Sequence, residues 1–199
     1  MSTHSFNTAA PYYARPPLPV GGQIGKKEVL LTIRKAKLSD VPELYRLISH
    51  YAGEHVILPR TLTELYENVW EFTVAEDESS IVGCAALRLY SQELAEIRSL
   101  CVDPARKSQG IGREISNRLI READGFGVKT VFALTMSPEF FEKLGFRETP
   151  KERFPAKVWR DCLRCERFSC CNERSMTLEL ADWPADLAES MPEAAEVSS

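Results

Sequence analysis

The sequence predicts an α/β fold, a mixed, mostly antiparallel central sheet covered by helices on both faces. Two observations carry that prediction. The first half brings strands in hairpin order, "EFTVAED" and "SSIVGCAALRLY", joined by the acidic turn Glu76 to Ser80. The second half alternates strands with helices, and 44% of the 199 residues are hydrophobic, ample for a packed core.

Each element has its own local reason. "EVLLTIRKA" reads as a first strand. "LSDVPELYRLISHYA" reads as a helix, with Ser39 or Asp40 as cap, Pro42 in the first turn, and Val41, Leu44, Leu47 and Ile48 on one face. "LPRTLTELYENVW" offers a shorter helix capped by Thr61, with Glu64 three residues on. After the hairpin, "LAEIRSLCV" is a strand and Ile111 to Ala123 a helix with the apolar row Ile111, Ile115, Leu119, Ala123, stopping at Gly125 and Gly127. "KTVFALT", the short helix "SPEFFEKLG", "FRETP" and a last strand "SMTLEL" complete the series. Residues 29–180 are expected to form a single domain. Residues 1–28 mix Pro, Gly and Ser, and 181–199 are acidic with Trp183 the main large apolar residue, so both are expected to be flexible.

Composition excludes several classes of function. A net charge of −4 leaves no broad electrostatic footprint for nucleic acid. The longest apolar runs, such as "VLLTI", are strand-sized, so no membrane span is expected. The N-terminus resembles neither a secretory signal nor an arginine-dense transit peptide, and the expected location is cytoplasmic. Six cysteines in a chain of this length do not suggest a secreted disulfide scaffold. Four of them, Cys162, Cys165, Cys170 and Cys171, crowd into "DCLRCERFSCC". C-x-x-C is a zinc or redox signal, but no second C-x-x-C or His pair follows at ordinary spacing. Reduced structural thiols are the favoured reading of this Cys-rich stretch, 162–171, beside structural metal and a redox pair; no metal is expected in the chemistry. His50 and His55 read as surface or packing residues.

The chemistry concentrates in "EIRSLCVDPARKSQGIGREI". Gly110 and Gly112 open a helix directly after a strand, so main-chain N–H groups can converge without Cβ interference at the positive end of a helix dipole. The favoured guest is an anion, above all a phosphate, with Lys107 and Arg113 adding positive charge. A plain glycine-eased loop is the alternative. Neither G-x-G-x-x-G nor G-K-[ST] is present. Strict alternation in the preceding strand puts Glu96, Arg98, Leu100 and Val102 on one face, and Ala95, Ile97, Ser99 and Cys101 on the other. Glu96 and Arg98 then form either a structural pair or working charges, Glu96 being suited to general-base catalysis.

"CVDPARKSQGIG" resembles motif A of the GCN5-related N-acetyltransferases (GNAT), and "FFEKLGF" resembles a second landmark of that family. The resemblance covers roughly Leu31 to Leu180 and implies an acyl-CoA N-acyltransferase (GNAT) fold. It implies that Lys107, Ser108, Gln109, Gly110, Ile111, Gly112 and Arg113 hold the pyrophosphate of acetyl-CoA. Strand amides at Leu100, Cys101 and Val102 would bind the pantetheine arm and polarise the thioester. Two positions depart from the family pattern. Lys107 stands where Gln or Arg is usual, and Phe141 stands where many relatives carry a tyrosine that protonates the CoA thiolate; Thr135 and Ser137 are nearby substitutes.

"GCAALRLY", "AEIRSLCVDP" and "FALT…EFFEKLGF" together resemble the short, stand-alone bacterial N-acetylglutamate synthases of arginine biosynthesis. That resemblance implies direct acetyl transfer in a ternary complex to the α-amino group of L-glutamate, with Glu96 accepting the proton. A substrate with two carboxylates calls for guanidinium forks, and Arg60 and Arg98 are the best placed. The implied partners are acetyl-CoA and a small amino acid, with no nucleic acid and no membrane, and a homodimer is permitted. Another amino acid, a polyamine or a protein amine is an alternative acceptor. A non-catalytic CoA-binding regulator is the alternative of a different class.

Overall fold

A computed structural model describes residues 31–78, 80–154 and 160–183 of the chain. The expected flexible segment 1–28 and all but the first three residues of 181–199 lie outside the described residues. Seven strands form one sheet: β1 (Leu31–Lys35), β2 (Phe72–Asp77), β3 (Ser80–Leu89), β4 (Leu94–Val102), β5 (Thr130–Thr135), β6 (Arg147–Glu148) and β7 (Arg174–Glu179). Their spatial order is β1-β2-β3-β4-β5-β7-β6. β4 and β5 run parallel and every other neighbouring pair is antiparallel. The mixed, mostly antiparallel sheet expected from the sequence is the sheet observed.

Helices cover both faces. On one, α1 (Val41–Gly53) and α2 (Leu62–Glu67) bring Val41, Leu44, Leu47, Ile48 and Leu65 against Val74, Cys84, Ala86 and Cys101. On the other, α3 (Ile111–Gly125) and α4 (Pro138–Glu142) pack Ile111, Ile115, Leu119 and Phe141 with Ala85, Leu87, Ala95 and Ile97. α2 starts with the expected capping box: Thr61 Oγ1 accepts the Glu64 N–H at 3.1 Å, and Glu64 Oε2 accepts the Thr61 N–H at 2.8 Å. At α1 Asp40 holds the N-cap position, one of the two residues expected there, and Pro42 lies in the first turn. The Asp40 side chain makes no cap bond. Its carboxylate instead accepts two bonds from the Arg34 guanidinium, at 2.7 and 3.1 Å, and the Lys37 N–H at 2.7 Å. Burial opposes the charged form, but Arg34 and the Lys37 amide outweigh it and hold the carboxyl below the usual carboxylate range.

The register of β4 corrects the alternation read from the sequence. Cys84 faces Cys101 while Ala86 faces Arg98, so Ser99 and Leu100 together oppose Ala85 alone. This is a β-bulge, and Ser99 takes a left-handed backbone (φ 52°) to make it. The extra residue reverses the facing of everything after it. Glu96 and Arg98 open onto a cavity and Cys101 joins the α1 face, whereas Leu100 and Val102 pack toward α3 beside Ala95 and Ile97.

α3 sits close to the sheet because β3 offers a glycine under its first turn. A Cβ on Gly83 would lie 2.9 Å from Ile111 Cγ2 and 3.0 Å from Ile115 Cδ1. Gly83→Val is therefore expected to push the start of α3 outward and destabilise the fold by about 1–3 kcal/mol. Thermal unfolding of the variant against the parent checks this, and an unchanged midpoint would show that the close approach is dispensable.

Candidate active site

The site begins where two parallel strands part. β4 and β5 pair at only three positions, Leu94↔Thr130, Ala95↔Val131 and Glu96↔Phe132. Beyond the last, β5 continues along β7 to Thr135, while β4 continues along β3 to Val102. The ladder between them ends, leaving a wedge with Glu96 at its apex. Main-chain groups of β4 on that side face a gap, where an extended ligand can pair as a strand would.

Glu96 is buried, with 2% of its surface exposed. Tyr90 Oη donates to its Oε2 at 3.0 Å. Tyr90 in turn packs near Phe132, whose ring stacks on Phe154 at 4.1 Å. Burial, followed by the neighbouring Glu96 charge, pushes the Tyr90 phenol well above its ordinary range, so it stays protonated and remains the donor. A buried carboxylate that accepts from the Tyr90 hydroxyl is a candidate proton acceptor for a bound amine.

At the far end of β4 the chain turns into α3. Asp103 receives the Ala105 N–H at 3.0 Å and gives its own N–H to Val82 at 2.8 Å, fixing the turn that Pro104 begins. Ser108 (φ 64°) and Gly110 (φ 83°) are both left-handed, and Gly110 is the N-cap of α3. The first intrahelical bond runs from the Glu114 N–H to the Gly110 carbonyl, so the N–H groups of Ile111, Gly112 and Arg113 have no intrahelical acceptor. The exposed loop Lys107 to Gly110 and these amides form an anion-binding helix start. Tyr51 underlies it: its hydroxyl donates to the Val102 carbonyl at 2.5 Å, and Lys107 Nζ sits 5.0 Å from its ring centroid. Arg113 points elsewhere, donating to the Lys143 carbonyl at 3.3 Å.

A cavity of about 580 Å³ opens on the Glu96 side of the sheet. Arg60, Glu96 and Arg98 all line it, so the three polar side chains expected at an acceptor site do come together. The guanidinium groups are not idle. Arg98 donates to Asp161 at 3.2 Å and to Glu71 at 3.1 Å, and Glu71 also receives Arg88. Arg60 lies 3.8 Å from the same Asp161 oxygen. Burial and then the Arg98 charge hold the Arg60 pKa below its ordinary value, against the pull of Asp161. Asp161 and Glu71 thus offset two adjacent cations, and neither was singled out in the sequence. Both lie far along the chain from Arg98, where no local pattern points to them.

Other expected residues fall as follows. Cys101 is buried against Cys84, so only its backbone can reach the wedge. Its hydrogen bond with Cys84, together with burial, raises the Cys84 thiol well above the ordinary range. Phe141 is buried between Phe140 and Phe146. Thr135 Oγ1 accepts the Ser137 N–H at 2.9 Å. His55, read as a surface or packing residue, is exposed and lies in the cavity lining, as do all four cysteines of the 162–171 stretch. Among the described residues none of the six cysteines is in a disulfide, and no group of three or more His, Cys, Asp or Glu could hold a metal. No helix among them is long and apolar enough to cross a membrane.

This geometry coincides with known proteins. A family model for the acetyltransferase (GNAT) domain matches residues 68–148. An uncharacterised N-acetyltransferase of Chlorobaculum tepidum is 37% identical over 148 residues, covering 74% of this chain and 96% of that protein. An amino-acid acetyltransferase of Mycobacterium tuberculosis is 40% identical over 135 residues, 66% of this chain and 77% of its own length. Among solved structures, a M. tuberculosis protein in complex with CoA and NLQ superposes with a TM-score of 0.65 at 35% identity, over 74% of this chain and 98% of that one. N-acetylglutamate synthase of Neisseria gonorrhoeae, complexed with coenzyme A and N-acetyl-glutamate, gives a TM-score of 0.69 at 28% identity, over 77% of this chain and 36% of that one.

The carboxylate bridge supplies its own test. Glu71 is buried between Arg88 and Arg98, so Glu71→Ala leaves two guanidinium groups short of their shared partner. A loss of about 3–5 kcal/mol is expected in chemical denaturation. A loss under about 1 kcal/mol, the level of an exposed pair, would show that solvent already compensates these charges.

Proposed function

The chain belongs to the GNAT acetyltransferase family, and on that premise we propose that it transfers the acetyl group of acetyl-CoA to the α-amino group of L-glutamate within a direct ternary complex. The observation that carries this reading is the parting of β4 and β5 at Glu96, with an anion-binding helix start at one end and an arginine-lined cavity at the other. The amides from Lys107 to Gly112 would hold the pyrophosphate, with Lys107 supplying charge. The β4 edge at Leu100, Cys101 and Val102 would pair with the pantetheine arm and polarise the thioester carbonyl.

Glu96 would accept the ammonium proton, directly or through one water, while Tyr90 keeps its carboxylate oriented. The freed amine attacks the thioester carbonyl, and the tetrahedral intermediate collapses to amide and CoA thiolate. Phe141 has no proton to give that thiolate, so water, Thr135 or Ser137 would serve. Arg60 and Arg98 would bind the carboxylates of the acceptor, a step in which Asp161 must share or yield its place. Support for glutamate comes from the two arginines and from relatives named amino-acid acetyltransferase and N-acetylglutamate synthase. Placing the reaction in the cytoplasm and in arginine biosynthesis extends the same reading.

Release of CoA thiol across a panel of amines tests the proposal. Glutamate-dependent release is expected; preference for another amine would overturn the acceptor, and CoA binding with no release from any amine would make the chain a non-catalytic regulator. With the true acceptor, Glu96→Gln is expected to lower kcat by about 10²-fold or more with little change in acetyl-CoA affinity. Unchanged turnover would remove Glu96 from the chemistry.

A further inference from the structure

The Cys-rich stretch lines the same cavity as Glu96, and one pair of its thiols sits in a turn suited to covalent closure. Residues Cys162–Arg164 form a single 3₁₀ turn, and the Cys165 N–H donates to the Cys162 carbonyl at 3.1 Å. In such a turn side chains three residues apart eclipse one another. The α-carbons at the two ends of a hydrogen-bonded turn lie within about 7 Å, overlapping the range of about 4.4–6.8 Å that disulfides require. Both cysteines are half-buried, both line the cavity, and neither is in a disulfide. Cys170 and Cys171 are adjacent in sequence and lack this arrangement. Cys171 instead has Lys151 Nζ 3.1 Å from its sulfur.

The residue before the turn gives the pair its consequence. Asp161 Oδ2 lies 3.2 Å from Arg98 Nη1 and 3.8 Å from Arg60 Nη2. Both Nη groups of Arg98 are committed, to Asp161 and Glu71, and its Nε is buried without a hydrogen-bond partner. An incoming carboxylate therefore competes with Asp161 for these guanidinium groups, and any shift of the backbone at 161–165 would carry Asp161 with it.

We propose that Cys162 and Cys165 form a redox-active dithiol in the wall of the acceptor cavity, modified by small disulfides, and that its oxidation locks Asp161 onto Arg98 and Arg60. The exchange balances: a thiolate of one cysteine attacks a disulfide R–S–S–R and releases R–SH, and the second cysteine attacks the mixed disulfide and releases another R–SH. The protein loses two electrons and two protons, and the reagent is reduced to two thiols. A bond across the turn fixes the backbone that presents Asp161, so the acceptor meets arginines it cannot free. Loss of one charge-assisted contact corresponds to a rise of about tenfold or more in acceptor KM.

The consequence for KM rests on the cavity being the acceptor site, whereas the disulfide itself does not, so the two are read separately. Full-length protein is treated with oxidised glutathione, digested without reduction and mapped by mass spectrometry. A Cys162–Cys165 cross-link, two hydrogens lighter than the dithiol and reversed by dithiothreitol, is expected; its absence, or a cross-link confined to Cys170 or Cys171, overturns the proposal. Acetylated product is then followed chromatographically, which avoids thiol reagents. A raised acceptor KM with unchanged acetyl-CoA KM is expected for oxidised protein. The increase should vanish in Cys162→Ser/Cys165→Ser, and in Asp161→Asn although the cross-link still forms. A cross-linked protein with unaltered acceptor KM sinks the coupling. Absence of turnover with any amine in the reduced protein sinks the acceptor reading instead.

Discussion

A peptide group inside a sheet must either pair or face something that pairs with it, and in this chain the sheet withdraws that pairing at one place. β4 and β5 separate after the Glu96↔Phe132 rung, and a bulge at Ser99–Leu100 turns β4 further along the strand. Those two departures create the wedge, aim its mouth at the start of α3, and leave Glu96 buried at its apex. An extended thioester cofactor that ends in a diphosphate fits such a gap. The strand edge supplies an oriented row of donors and acceptors, and the helix start receives the charge.

The floor of the cavity obeys a second constraint, that buried charge needs compensation. Arg60, Arg88 and Arg98 are held by Glu71 and Asp161, and Glu96 by the Tyr90 hydroxyl. Without substrate the arginines hold carboxylates of the protein's own. Under the proposed reading an amino-acid acceptor exchanges carboxylate for carboxylate, so the site stays near electrical balance through the binding step. Such exchange selects for an anionic acceptor more by the cost of leaving the arginines unpaired than by new attraction.

Rigidity and compliance are divided between the two ends of the site. The loop before α3 is tied by Asp103, by Tyr51 beneath it and by the close contact of Gly83 with Ile111. The acceptor side is closed by 160–173, a run of single 3₁₀ turns and irregular backbone held to the sheet through Asp161 and to the turn after β6 through Lys151. A coenzyme site shared across a family with a tailored acceptor wall is what this division would produce.

Local pattern alone determined the strands and helices, the two-faced sheet, the Thr61–Glu64 capping box and the glycine-opened helix start, because each depends on residues within a turn or two of one another. It also made Glu96 and Arg98 conspicuous as charges in a strand, whereas Arg60 came forward only through the resemblance that implies a dicarboxylate acceptor. Tertiary structure alone decided the rest. The bulge reversed the facing of Leu100, Cys101 and Val102, and strict alternation cannot register an inserted residue. Asp40 keeps its expected N-cap position but turns its carboxylate to Arg34. Asp161 meets Arg98 across 63 residues, Tyr90 donates to Glu96 around the β3–β4 turn, and four cysteines line one cavity. These contacts join one element to another, near or far along the chain, and are fixed by how strands, turns and layers pack; no periodicity in the chain encodes them.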